Sequence, residues 1–213
     1  MNPYPLLTYI SIFSSVLPIG IGISKIKILH REMYIILFYL VFAFAVDIYF
    51  IWFIRGYQFT LGLHHAYYLV EYVFIISIVT VWQESQRAKR FFQILMLLYT
   101  LFWIIAKCTF EPLNGLYSIT ASASQVLLAL SAGYTLFVVI GNRTQTLINN
   151  HRFWMLLSFV IYYAGTLLII ALRGILINFS VENFLLVSSI DWSLKIIFNI
   201  LITIGFLCPQ TQT

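Results

Sequence analysis

Seven stretches of this chain are apolar for about the length needed to cross a bilayer, and little lies between them. They run over Leu6–Ser24, Met33–Ile54, Leu61–Trp82, Phe91–Ala106, Tyr117–Ile140, Phe153–Leu172 and Asn183–Leu207, the fourth being the shortest. In hydrocarbon every backbone N–H and C=O must be satisfied within the protein, so each stretch must be a helix. The expected fold is all-α: a polytopic membrane protein of seven transmembrane helices, one domain over residues 1–213. Composition agrees. Asp, Glu, Lys and Arg make up 9% of the chain, against about 25% in a soluble protein. So few charges could not cover a water-exposed surface. The short connections leave no room for a soluble catalytic or DNA-binding domain, so nucleic acid is excluded as a partner and the lipid bilayer is required as one.

The basic residues give an expected orientation. No Lys or Arg precedes the first stretch, and the first is Lys25, which argues against a signal peptide. Lys25, Lys27, Arg31, Arg87, Lys89, Arg90, Arg143 and Arg152 fall in the loops after the first, third and fifth stretches. The other side holds Arg55, Lys107 and Arg173. Eight against three places the N-terminus outside and the C-terminus in the cytoplasm, with a bacterial inner membrane as the expected location. The net charge of +5 is thus mainly an orientation signal. Cys108 and Cys208 fall at opposite sides of the membrane and cannot pair within one chain. Asn178-Phe179-Ser180 matches a glycosylation acceptor in an outer loop.

The chain also resembles itself. His30-Arg31 opens the second stretch and His151-Arg152 the sixth. Arg55-Gly56 closes the second, and Arg173-Gly174 closes the sixth. Glu71-Tyr72 lies in the third and Asp191-Trp192 in the seventh. The offsets are 121, 118 and 120 residues. The expected architecture is a parallel 3+1+3 duplication, with repeats over 6–82 and 117–207 and a linker helix over 91–106. Parallel repeats can hold a substrate site near the bilayer midplane between the halves.

Four charges fall well inside the stretches: Asp47, Glu71, Asp191 and Lys195. Each costs roughly 2.5–3.5 kcal/mol at a helix centre, so they are expected to face one another or water. Gln125 sits at comparable depth in the fifth stretch. Ser188, Asp191, Lys195 and Asn199 follow helical spacing and form one polar stripe, with Asp191 and Lys195 expected to pair. His64, Tyr68 and Glu71 share a helix face, with His65 and Tyr72 beside it. Tyr162, Tyr163 and Thr166 add hydroxyls from the sixth stretch. The candidate ligand-binding or proton-relay set is therefore Asp47, Glu71, Asp191, Lys195, Gln125, Tyr68, Asn199 and His64. A static polar network that holds the bundle together is the competing reading. Its hydrogen bonds stabilise by about 0.6 kcal/mol each, which is small beside the insertion costs.

Other features read as structure. Pro18, with Gly20 and Gly22, is expected to kink the first helix, with Ser14 available to the freed carbonyl. Ser118, Ser122, Ala129 and Gly133 suit a close-packing face on the fifth. Trp52, Trp82 and Trp154 suit interfacial belts. No metal centre is expected: His64 and His65 point about 100° apart on a helix, and His30 and His151 lie at the other side. No nucleophile elbow occurs, and no enzymatic activity is expected.

Asp191-Trp192-Ser193-Leu194-Lys195 resembles the Asp-x-x-x-Lys pattern in the seventh helix of microbial rhodopsins. That resemblance implies a retinal cofactor on Lys195, with Glu71 as the third-helix counter-ion. Tyr68 and Tyr72 stand where that family has Arg and Trp, and the sixth stretch lacks its Trp-x-x-Tyr-Pro. The 3+1+3 plan resembles the PQ-loop transporters, but the Pro-Gln here is Pro209-Gln210, after the last stretch. Glu71, Phe153-Trp154 and Trp192 also resemble a pattern in small seven-helix proteins of bacteria. The leading expectation is a membrane protein that binds or transports a small polar solute or protons through an outward-biased cavity. The alternatives are a sensor acting through a signalling or membrane-protein partner, a retinal photoreceptor, and a structural subunit of a membrane complex.

Overall fold

The computed structural model describes residues 6–53, 57–113, 119–141, 147–176 and 181–208, with side chains over 6–51, 62–113, 119–141, 147–170 and 185–208. Among these residues the secondary structure is helical throughout and contains no strand. The helices are α1 (Leu6–Phe13), α2 (Val16–Ser24), α3 (Arg31–Phe53), α4 (Tyr57–Val81), α5 (Gln86–Thr109), α6 (Ile119–Gly141), α7 (His151–Leu176) and α8 (Val181–Leu207). Together α1 and α2 form the first span, and the remaining six helices each form one. Seven spans are thus long and apolar enough to cross a membrane. Arg55-Gly56, Arg143, Asn178-Phe179-Ser180, Ser118 and Pro209-Gln210 lie outside the described residues, as do the side chains of Trp52 and Arg173.

The first span breaks where the proline chemistry requires. Pro18 has no N–H to give the carbonyl of Ser14, four residues back. The Leu17 N–H bonds Ser14 O instead, at 3.2 Å, and the helix divides there. The Ser14 hydroxyl donates to Ser11 O at 2.6 Å and accepts the Asn199 amide at 2.7 Å. Asn199 on α8 therefore plugs the break. The start of α7 is set by Asn150, whose side chain accepts the Arg152 N–H at 2.9 Å.

The fourth span is longer than its apolar stretch. It takes in Gln86 to Arg90 and Lys107 to Thr109, because polar residues at both ends continue the helix. This helix, α5, is the least buried. Its Phe91, Ile94, Leu97, Leu98, Leu101 and Ile105 are exposed. An apolar face of that extent suits lipid and not water.

The small-residue face expected on α6 is displaced. The buried positions are Thr120, Ala121, Ser124, Gln125, Leu128, Ser131, Ala132 and Thr135, while Ser122, Ala129 and Gly133 are half-buried. A Cβ at Gly133 would meet nothing within 4 Å. Gln125 and Ser124 need polar partners, which exist only inside the bundle, and that need sets the rotation of the helix.

One end of the bundle collects the basic connections. There Lys25 donates to the carbonyls of Phe206 and Leu207 at the end of α8, at 3.1 and 3.2 Å. His30 and His151 stack with ring centroids 6.1 Å apart. Arg152 lies 3.6 Å from Glu32. The core between the ends is built by Met33, Ile36, Tyr72, Ile76, Phe159 and Phe206, none measurably exposed.

At Gly205 helices α7 and α8 come close. A Cβ there would sit 2.9 Å from Met155 Cγ and 3.4 Å from the His151 carbonyl. Gly205→Ala is expected to cost about 1–3 kcal/mol as an overpacking change. A lowered thermal midpoint in detergent, set against an unchanged Gly133→Ala, checks this.

Candidate functional site

Glu71 sits in the middle of α4 and is 2% exposed. A carboxyl at that depth needs donors, and neighbouring helices supply them. Tyr39 of α3 donates to Oε1 at 2.7 Å, and Tyr163 of α7 reaches the same oxygen at 3.4 Å. Gln125 of α6, 2% exposed, accepts the Thr166 hydroxyl of α7 at 2.8 Å with its carbonyl. Hydroxyls from two other helices therefore meet one acid.

A second charged group lies alongside. Lys195 of α8 pairs with Asp47 of α3. Both side chains are about one-fifth exposed, 22% and 21%. The expected partner of Lys195, Asp191 on its own helix, is not the one it takes. The flexible Lys stem reaches across to α3 instead. Asp191 is half-buried on the same helix as Lys195. Tyr39, Tyr67 and Lys195 line one small cavity, which brings the tyrosine that holds the acid alongside the ion pair.

Between these groups is a cavity of about 20 Å³ lined by Ser15, Tyr39, Tyr67, Tyr162, Lys195 and Asn199. That is room for about one water molecule.

The remaining expected residues are placed as follows. Asn199 lines the cavity and plugs the break in the first span. Tyr68 meets Tyr67 edge-on, with centroids 6.2 Å apart, and is felt by Tyr162. His64 is exposed and stacks on Phe50 at 4.1 Å, away from Glu71. Asp47, Glu71, Lys195, Gln125 and Asn199 thus come together, and His64 does not join them.

Sequence reasoning passed over Tyr39, Tyr67 and a whole second polar cluster. Lys107, expected in an outer loop, is buried on the last turn of α5. Its ammonium lies 2.5 Å from Glu111 Oε1 and 3.0 Å from His65 Nδ1. The four-residue spacing of Lys107 and Glu111 was the available signal. The cysteines are both free. Cys108 is exposed and Cys208 buried, and burial pushes the Cys208 thiol up.

Comparison with protein-family models, with curated proteins and with solved structures gives no match to this chain.

Removing one member of a half-buried ion pair strands the other. Lys195→Met is expected to lower stability by about 1–3 kcal/mol, because Asp47 is left uncompensated. The double variant Lys195→Met, Asp47→Asn is expected to recover most of that. Thermal unfolding in detergent of the single and double variants checks the cycle.

Proposed function

We propose that this chain is a seven-helix membrane protein that moves protons, alone or coupled to a small polar solute, through the Glu71 and Asp47–Lys195 site. The observation that carries the reading is a buried carboxyl in the middle of a span, held by hydroxyls from Tyr39 and Tyr163, with a Lys195–Asp47 ion pair beside the same cavity. Such groups are costly in hydrocarbon and mark ion or proton pathways. Glu71 is the acid that takes and gives the proton. Lys195 and Asp47 hold charge balance beside it.

We further propose that the chain is a 3+1+3 duplication, N-terminus outside and C-terminus cytoplasmic, in a bacterial inner membrane. Support comes from contacts that recur in matched places. The first span packs on α8, while α6 packs on α4, so the first helix of each half meets the third of the other. Asn199 bonds Ser14 across one junction, and Gln83 bonds Thr135 at 2.8 Å across the other. His30 and His151, the matched openers, stack on each other. The side counts of Lys and Arg support the orientation.

In sealed liposomes carrying an internal pH dye, the wild-type protein is expected to dissipate an imposed pH gradient. Glu71→Gln is expected to abolish this with the fold intact by circular dichroism. Gradient decay at the wild-type rate in Glu71→Gln would overturn the reading. For orientation, a membrane-impermeant maleimide applied to intact cells is expected to label Cys108 and spare Cys208; the reverse would invert the topology.

A further inference from the structure

Lys107, Glu111 and His65 form a second ionisable group at the end of the bundle opposite the histidine stack. Their side chains are 6%, 5% and 5% exposed. Lys107 donates to Glu111 Oε1 and lies 3.0 Å from His65 Nδ1. Its ammonium also lies over the Trp103 ring, 5.7 Å from the centroid. Glu111 does more than balance the lysine. Its Oε2 accepts the Thr120 N–H at 3.0 Å, and its Oε1 accepts the Thr120 hydroxyl at 3.0 Å. Thr120 is in the first turn of α6. The carboxylate therefore satisfies a donor that the helix start leaves open. Tyr99 of α5 completes the ring by donating to the Thr120 carbonyl at 3.0 Å.

The protonation state of this group follows from its contacts. An ammonium has three donors and no acceptor. Lys107 beside Nδ1 thus requires Nδ1 to be the acceptor, with the imidazole neutral and its proton on Nε2. Lys107 and Glu111 then cancel. One added proton on Nδ1 sets two donors and two positive charges face to face. Glu111 Oε1 is the nearest acceptor for the new N–H, 3.7 Å away. Imidazolium and ammonium would compete for one carboxylate that also caps α6. Among the described residues, Lys107 and Glu111 are charged groups facing His65, and Thr120 meets the cluster from α6.

We propose that His65, Lys107 and Glu111 form a proton-binding site distinct from Glu71, whose occupancy sets the hold of Glu111 on the start of α6. In the unloaded state Glu111 clamps Thr120. In the loaded state the His65 Nδ1–H takes Glu111, Lys107 is displaced, and the first turn of α6 loosens. Gln125 lies five residues further along the same helix, where its carbonyl accepts the Thr166 hydroxyl of α7. This inference does not rest on proton transport by Glu71.

The test is hydrogen exchange of residues 119–124 in the full-length protein in nanodiscs, with intrinsic chemical rates divided out. Across the imidazole range, from about pH 8 to about pH 5, wild-type protection of this turn is expected to fall roughly tenfold or more. His64→Gln is expected to respond like the wild type. In His65→Gln the amide oxygen can accept from Lys107, as Nδ1 does, without titrating, so protection is expected to stay high at both pH values. Lys107→Met removes the competition for Glu111 and is expected to flatten the response too. It decides the matter if His65→Gln does not fold. A flat wild-type response, or a wild-type response retained in His65→Gln or Lys107→Met, overturns the proposal.

Discussion

The ion pair between Lys195 and Asp47 is the contact that most constrains the middle of this bundle. It joins α3 to α8, two helices far apart in sequence, in a region where an unpaired charge costs several kcal/mol. The register of α8 against α3 is therefore fixed by charge and not by apolar packing alone. Fixing α8 also fixes Asn199, one turn along, against the gap that Pro18 opens in the first span. Ser15 and Asn199 then face Tyr39 and Tyr67 across the small cavity. The cavity thus follows from electrostatics and proline chemistry more than from side-chain volume.

The same logic sets α6. Gln125 and Ser124 face inward, and the helix rotates so that its glycine at 133 faces open space. Hydrophobic burial cannot choose a face here, since lipid is as apolar as the core. Polar residues choose it instead. That is why the most informative positions in an apolar chain are its few amides, acids and hydroxyls.

This also explains what could be read from the sequence. The seven spans were legible because length and apolarity are local properties. Asp47, Glu71, Gln125, Lys195 and Asn199 were legible as a set because each is expensive where it stands. Their partners were not. Lys195 has an acid one turn away on its own helix and another on α3, and spacing alone favours the nearer. Only the fold, which brings Asp47 of α3 within reach of the long Lys195 side chain, decides for Asp47. Tyr39 and Tyr67 were hidden among 14 tyrosines, most of which fit an interfacial belt equally well. Lys107 was hidden for a different reason. A base at the end of an apolar stretch looks like a loop charge until the helix is seen to continue past it.

Under the proposed duplication Glu71 would match Asp191, but Glu71 takes hydroxyl donors from Tyr39 and Tyr163 while Asp191 is half-buried. The position matching Lys195 is Ile75, which is fully buried. Lys195 pairs across the bundle with Asp47 of α3 and not with the acid one turn back on its own helix. The two positions therefore differ in how their charge is met: Glu71 by hydroxyls from two other helices, Lys195 by a carboxylate from one.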